Sequence, residues 1–393
     1  MKMNSRTIQK ISFLAVVLAA LSLPALISSC TSDPAPQVVT PPLKQVFYDW
    51  RKVVVGADLS SVNMVEAQGA VYKDSGVVQD PYTIFKTHGC NMVRLRLFKD
   101  PSATGGYNAD GYGGIDDVIV SMQRAKAAGI AVTLDLHFPD TWADPGQQKI
   151  PVAWQGLGLT DLRDSVYNYV TSVLTKLQNR NLLPDMIQIG NEVQSGMLFP
   201  LGKIESDNDF TDFVVLLQAG IKAVREFSIP LPVKPLIIIH PGKPEIAEYF
   251  FNKILTAGVT DYDVAAISYY DNYTTQKFAD LSETFKHLKN ITGKKVLIAE
   301  TSYQWTDLSQ DGKVYNAQTV LNGFFVTRGG QYDYMVALTQ VAINAGGMGV
   351  IYWEPAWVGN NVDFGHETIA FFDYTDRTIA AMNYFNYPYE FPN

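Results

Sequence analysis

Met186-Ile187-Gln188-Ile189-Gly190-Asn191-Glu192 is a short apolar run that ends on a turn-forming glycine, an amide and a carboxylate. Aliphatic runs of this length, bounded by a turn residue, read as buried strands. Val296-Leu297-Ile298-Ala299-Glu300 closes in the same way. Working outward, runs of this kind recur at residues 53–61, 92–98, 130–138, 186–192, 235–242, 264–270, 296–303 and 348–356. Helix-like patterns lie between them, for example at 115–128, 162–178, 210–227 and 337–345. Strands alternating with helices imply βαβ units and a parallel sheet. Eight such units are the count of a closed (β/α)8 barrel, an α/β fold in a single domain. An open doubly wound sheet is the alternative, but no run leads into a G-x-G-x-x-G turn.

Polar residues gather where each run ends: Asp58, Arg94 and Arg96, His137, Asn191 and Glu192, His240, Tyr270, Glu300, and Trp353 with Glu354. In a barrel, all eight strand C-termini open on one face. Residues scattered along the chain therefore converge on one site.

Composition sets the bounds. Of the 393 residues, 47% are hydrophobic and 18% charged, which suits a large packed core rather than a disordered chain. The 12% aromatic content suits both a filled core and a surface for flat ligands such as sugar rings. Net charge is −8, and loss of Lys2, Arg6 and Lys10 with residues 1–29 would take it to −11. Such a chain does not seek nucleic acid, whose phosphates need a basic surface. Histidine is scarce and no H-x-H cluster appears, which argues against a metal-dependent hydrolase. No cofactor is required.

Residues 1–29 read as a signal: a basic start, then an apolar stretch from Ile11 to Ile27, too short and Pro24-bent for a membrane span. The stretch ends Leu26-Ile27-Ser28-Ser29-Cys30, which resembles a bacterial lipobox with Cys30 as the lipidated residue. Asp33 resembles the acidic export signals of Bacteroidetes surface lipoproteins. Residues 30–46, with Pro34, Pro36, Pro41 and Pro42, form a semi-extended tether, and 47–393 form the catalytic barrel. The expectation is a secreted, monomeric, outer-membrane lipoprotein at the cell surface. Cys90 precedes an apolar run and reads as an inert buried thiol.

Glu192 and Glu300 each terminate an apolar strand instead of lying on a charged face. Stranding a carboxylate there costs hydration, so a structural ion pair or a catalytic role must offset it. Two such residues, on the fourth and seventh strands, match glycoside hydrolysis. One carboxylic acid protonates the leaving oxygen and one carboxylate attacks the anomeric carbon. Glu192 is assigned as general acid/base and Glu300 as nucleophile of a retaining reaction. Asn191 is placed to bind a sugar 2-OH, Arg94 to keep Glu300 ionised, and Tyr270 to donate to Glu300.

The ordered series Gly56-Ala57-Asp58-Leu59-Ser60-Ser61-Val62, Met92-Val93-Arg94-Leu95-Arg96-Leu97, Asp135 to Gly146, Gly190-Asn191-Glu192 and Tyr352-Trp353-Glu354-Pro355-Ala356-Trp357 resembles the β-1,4-galactanases of glycoside hydrolase family 53, within clan A. The resemblance spans from about Val53 to the C-terminus. It implies endo-cleavage of β-1,4-galactan, the side chain of pectic arabinogalactan, with a polysaccharide substrate and a membrane as partners. It also implies substrate contacts at Asp58, His137, Trp142, Asn191, Trp353 and Trp357. Asp140 and Asp144 read instead as turn caps, and Glu354 as a structural partner.

Two segments depart from the family pattern. Asp271-Asn272-Tyr273 follows Tyr270 where Pro and aromatic residues are usual, and Phe364-Gly365-His366-Glu367-Thr368 replaces a Trp-Glu-Asn-Gln type of segment. Some relatives hold a structural Ca²⁺ in late loops. Asp307 and Asp311 lie in such a loop without a recognisable ligand spacing. Another clan A glycanase, a mannanase or xylanase, and a non-catalytic glycan-binding protein remain the competing readings.

Overall fold

The computed structural model describes residues 48–205, 209–314, 320–321, 323–359 and 366–392. The signal, the whole tether with Cys30, and Phe364 and Gly365 lie outside the described residues. The eight expected runs form eight parallel strands: β1 Val54–Asp58, β2 Met92–Leu97, β3 Ala131–Leu136, β4 Met186–Ile189, β5 Leu236–Ile239, β6 Val264–Ser268, β7 Lys295–Glu300 and β8 Gly349–Tyr352. Each pairs with the next, and β8 returns to β1 to close a (β/α)8 barrel. The strands are shorter than the runs because the last residues of each run turn out into loops at the C-terminal rim.

Period-two alternation sorts each strand between two cores. On β2, Val93, Leu95 and Leu97 pack outward under the helices, while Met92 packs into the barrel. Arg94 and Arg96 share the inward face of Met92. Val54, Met92, Ala131, Met186, Ile238, Val264, Leu297 and Ile351 fill the lower interior, with Tyr48 and Trp50 packed against them. Asp185, just before β4, ties that floor together. It accepts from Tyr48 N at 2.9 Å, Val132 N at 2.9 Å and Lys126 Nζ at 2.8 Å. The apolar floor leaves the upper interior to polar groups, which is where the site lies.

The helices follow from their apolar stripes. In Thr211–Phe227, Phe213, Leu216, Leu217, Gly220, Ile221 and Val224 are buried, spaced three or four apart, with Asp212 in the first turn and Arg225 in the last. The last expected helix begins earlier than its pattern suggests, at Arg328, because Gly329-Gly330 disguises its start. Thr327 Oγ1 caps Gly330 N at 3.0 Å, and a Cβ on Gly330 would lie 1.8 Å from Phe325 O, so only glycine fits.

Candidate active site

Two local irregularities aim the carboxylates. After β4, Glu192 adopts a left-handed backbone, φ 48° and ψ 50°, uncommon for a residue with a side chain. That turn sends both Asn191 and Glu192 to the cleft. On β7, Ile298 pairs with Ile267 but Glu300 pairs with Ser268, so Ala299 is an extra residue. Strict alternation would have turned Glu300 to the side of Ile298. The bulge turns it inward instead.

Glu300 is pinned by two donors, Arg94 Nη1 at 2.7 Å on Oε1 and the Tyr270 hydroxyl at 2.9 Å on Oε2. Only 6% of Glu300 is exposed. Arg94 has no exposed surface and spreads its fork over Glu300, Asp58 (2.8 Å), Asp135 (2.6 Å), Asn191 Oδ1 (2.9 Å) and Gln188 Oε1 (3.3 Å). Glu192 is half-buried on the opposite wall, its Oε1 2.7 Å from Ser268 Oγ. A Cβ at Gly242 would fall 2.9 Å from that oxygen, so this glycine lets the loop after β5 back the carboxyl closely. Burial, and then the charge on Glu300, push the Glu192 carboxyl up to about 7. One carboxylate is thus braced by donors, and the other is kept protonated towards neutral pH.

The cleft is lined by Trp142, Asn191, Glu192, Ser268, Tyr270, Glu300 and Trp353, with Pro145, Gln194, Lys243, Pro244, Tyr273 and Thr274 along its walls. Trp142 and Trp353 meet edge to face at 6.3 Å, with the Arg96 guanidinium 5.2 Å and 5.9 Å from their ring centres. Tyr273, in the segment that departs from the family pattern, presents an exposed ring to the cleft, 6.2 Å from Tyr270.

Two expected substrate contacts, Asp58 and His137, need correction. Asp58 is fully buried under Arg94 and Arg96 and accepts from Ser60, so it braces the arginines. Burial works against its ionisation, but the Arg96 and Arg94 guanidinium groups hold its carboxyl below the ordinary range. His137 also has no exposed surface; its Nε2 lies 2.9 Å from Asp135, and its ring supports Trp142 at 5.7 Å. Asp58 and His137 are each buried by a neighbour that the strand-end pattern did not reveal. Trp357 is half-buried, packed on His366 at 4.4 Å and against Trp353 at 6.5 Å, and is not among the residues that line the cleft.

Glu354 is the structural partner expected of it, fully buried between Arg96 and Ser61. Asp140 and Asp144 cap turns: Asp140 accepts from the backbone of Asp100 and Val152, and Asp144 from that of Gly146. Burial pushes the Cys90 thiol up to about 12, as suits an inert residue. In the late loop, Asp311 is spent on Lys313, and no group of three or more candidate metal ligands occurs among the described residues. Gln188, Asp135 and Ser268 also belong to the site, although the strand-end pattern does not pick them out. The signal was present, since each is a polar residue at an inward position of an otherwise apolar strand.

Arg94→Lys tests the bracing. An ammonium cannot present a planar fork to several acceptors at once. The variant is expected to lose roughly 100-fold in kcat on the polysaccharide, about the effect of removing one preorganised donor. It should also melt at lower temperature. Calorimetry and initial rates check both, and wild-type values for either would show that the fork is not needed.

The architecture has close counterparts. The model of glycosyl hydrolase family 53 matches residues 54–385. An arabinogalactan endo-β-1,4-galactanase of Cellvibrio japonicus is 36% identical over 348 residues, covering 86% of this chain and 91% of that relative. Among solved structures, the family 53 catalytic domain of Ignisphaera aggregans superposes with a TM-score of 0.75 at 29% identity, covering 90% of this chain and all of that one. A fungal β-1,4-galactanase superposes with a TM-score of 0.73 at 26% identity, covering 84% and 98% of the two chains.

Proposed function

The chain belongs to glycosyl hydrolase family 53, and on that premise we propose that it is an endo-acting, retaining β-1,4-galactanase. One observation carries the mechanism: two glutamates share one cleft in opposite electrostatic settings. Glu300, held by Arg94 and Tyr270, is the nucleophile. Glu192, whose carboxyl is raised to about 7, gives its proton to the leaving oxygen and later takes one from water. Trp142, Trp353 and Tyr273 offer ring faces to galactose units, and Asn191 reaches the sugar bound beside Glu300.

Digestion of unbranched β-1,4-galactan tests the reading. Mixed oligosaccharides should appear early, and proton NMR should show the β-anomer first. An α-anomer at the outset would rule out retention. Cleavage of mannan or xylan in place of galactan would keep the two glutamate roles and change the substrate. No cleavage of any glycan would favour a binding protein.

For cellular placement, the basic start, apolar stretch and Cys30 support a secreted outer-membrane lipoprotein, held at the cell surface by the proline-rich tether. Glu192, Glu300 and the residues around them complete the cleft within a single chain, so the proposed mechanism asks for no group from a second copy, and action as a monomer is part of the proposal. Cys30→Ala is expected to move the protein from the membrane fraction to the soluble fraction. Unchanged fractionation would sink the anchor.

A further inference from the structure

The acid/base has a partner that the two-carboxylate scheme does not use. Ser268 Oγ lies 2.7 Å from Glu192 Oε1 and 3.0 Å from His240 Nε2. His240 Nδ1 lies 3.1 Å from Gln188 Nε2. It is also 3.1 Å from Asn191 Oδ1, which already receives Arg94 Nη2 at 2.9 Å. Gln188 is oriented by Arg94 Nε on its oxygen and by Gly190 O on its nitrogen. His240 and Gln188 have no exposed surface and Ser268 has 3%. Burial, and then the charge of Arg94, push the His240 pKa down to about 3, so its ring is neutral, with one proton and one lone pair.

We propose that Ser268, oriented by His240, is a positioning residue that keeps the Glu192 proton on Oε2, the oxygen open to the cleft. The inference rests on the galactanase reading above. With its proton on Nε2, His240 donates to Ser268 Oγ, and Gln188 fills Nδ1. The serine hydrogen is then committed to Glu192 Oε1. An oxygen that accepts there leaves the acidic proton on Oε2, towards the leaving group. The same arrangement stabilises the ionised carboxylate, so no donor has to turn between the two half-reactions. The opposite tautomer would place the acidic proton on Oε1, against Ser268 and Gly242, away from substrate.

The balance is simple. The Oε2 proton passes to the glycosidic oxygen as its bond to the anomeric carbon breaks. A proton returns from water as the water oxygen bonds to that carbon. Ser268 and His240 neither gain nor lose a proton. The other charged and titratable groups around Glu192 are Glu300, Arg94, Asp144, Tyr270 and Lys243, and none is altered by substitution at Ser268.

The test compares wild type, Ser268→Ala and Ser268→Thr on β-1,4-galactan and on an aryl β-galactobioside whose leaving group needs no protonation. Ser268→Ala is expected to lose roughly 10- to 100-fold in kcat on galactan, the range for a hydrogen bond to a charged group. KM should hold and the alkaline limb of kcat/KM should move to higher pH, because the carboxylate has lost a donor. Formation of the glycosyl-enzyme from the aryl substrate should stay near wild type, and threonine should restore galactan turnover. A wild-type rate and limb in Ser268→Ala, or equal losses on both substrates, would overturn the proposal. If that variant does not fold, ¹⁵N NMR of histidine-labelled wild type decides: a proton on His240 Nε2 supports the proposal and one on Nδ1 overturns it. Failure of the wild type itself on galactan counts against the galactanase reading, while the NMR result still judges the positioning role.

Discussion

Glu300→Gln is expected to lower kcat on β-1,4-galactan by roughly 10⁵-fold, the scale on which removing a covalent nucleophile acts. That corresponds to about 7 kcal/mol of lost transition-state stabilisation. The substitution keeps the shape of the site. The amide oxygen still accepts from Arg94 Nη1, now 2.7 Å from Oε1, and the amide nitrogen can donate to the Tyr270 oxygen, 2.9 Å from Oε2. What disappears is the charge that attacks the anomeric carbon. Calorimetric titration with a galacto-oligosaccharide should therefore give a Kd within a few-fold of wild type. Residual activity above a few per cent would remove Glu300 as nucleophile. Loss of binding together with turnover would mean that the carboxylate serves mainly to hold the site together. Because its charge is one cause of the raised Glu192 carboxyl, Glu300→Gln should also let that group ionise at lower pH.

Glu192→Ala is expected to cost roughly 10³-fold on galactan, within the range for general acid–base catalysis. The loss should depend on the leaving group. Departure of a sugar alcohol needs a proton, whereas an activated phenol leaves without one. An aryl β-galactobioside should therefore show a fast burst, then slow turnover as the glycosyl-enzyme waits for a base. Azide, which needs no base, should speed that second step and give the β-galactosyl azide. In the wild type, activity should fall as pH rises through about 7, since the acid is lost when the Glu192 carboxyl ionises. In Glu192→Ala this alkaline limb should vanish. A limb that stays in place, or equal losses for both leaving groups, would assign the acid elsewhere.

The site is built so that each glutamate is tuned by different neighbours. Asp58, His137 and Asp135 bear on the reaction without meeting substrate. Asp58 and Asp135 hold Arg94, and His137 supports Trp142. Arg96 and Glu354 do the same for the indole pair. The polar residues at the strand ends are thus mostly one buried network, and only its upper layer is open to a sugar.

The sequence by itself determined the eight-strand α/β order, the strand ends that carry Arg94, Asn191, Glu192, Tyr270 and Glu300, and the pairing of two carboxylates. These follow from local pattern: short apolar runs, helical stripes between them, and polar or charged residues where the apolar runs stop. Only the tertiary structure decided which of those residues reach the cleft. Alternation along β7 turns Glu300 the wrong way until a bulge at Ala299 corrects it, and Glu192 reaches the cleft through a left-handed turn. Asp58 and His137 end strands or follow them as the cleft residues do, yet Arg94 with Arg96, and Asp135, cover them. The link from His240 through Ser268 to Glu192 joins three strand ends far apart in the chain. Exposure and hydrogen-bond partners depend on what the other strands bring alongside, and a strand's own residues carry no record of that.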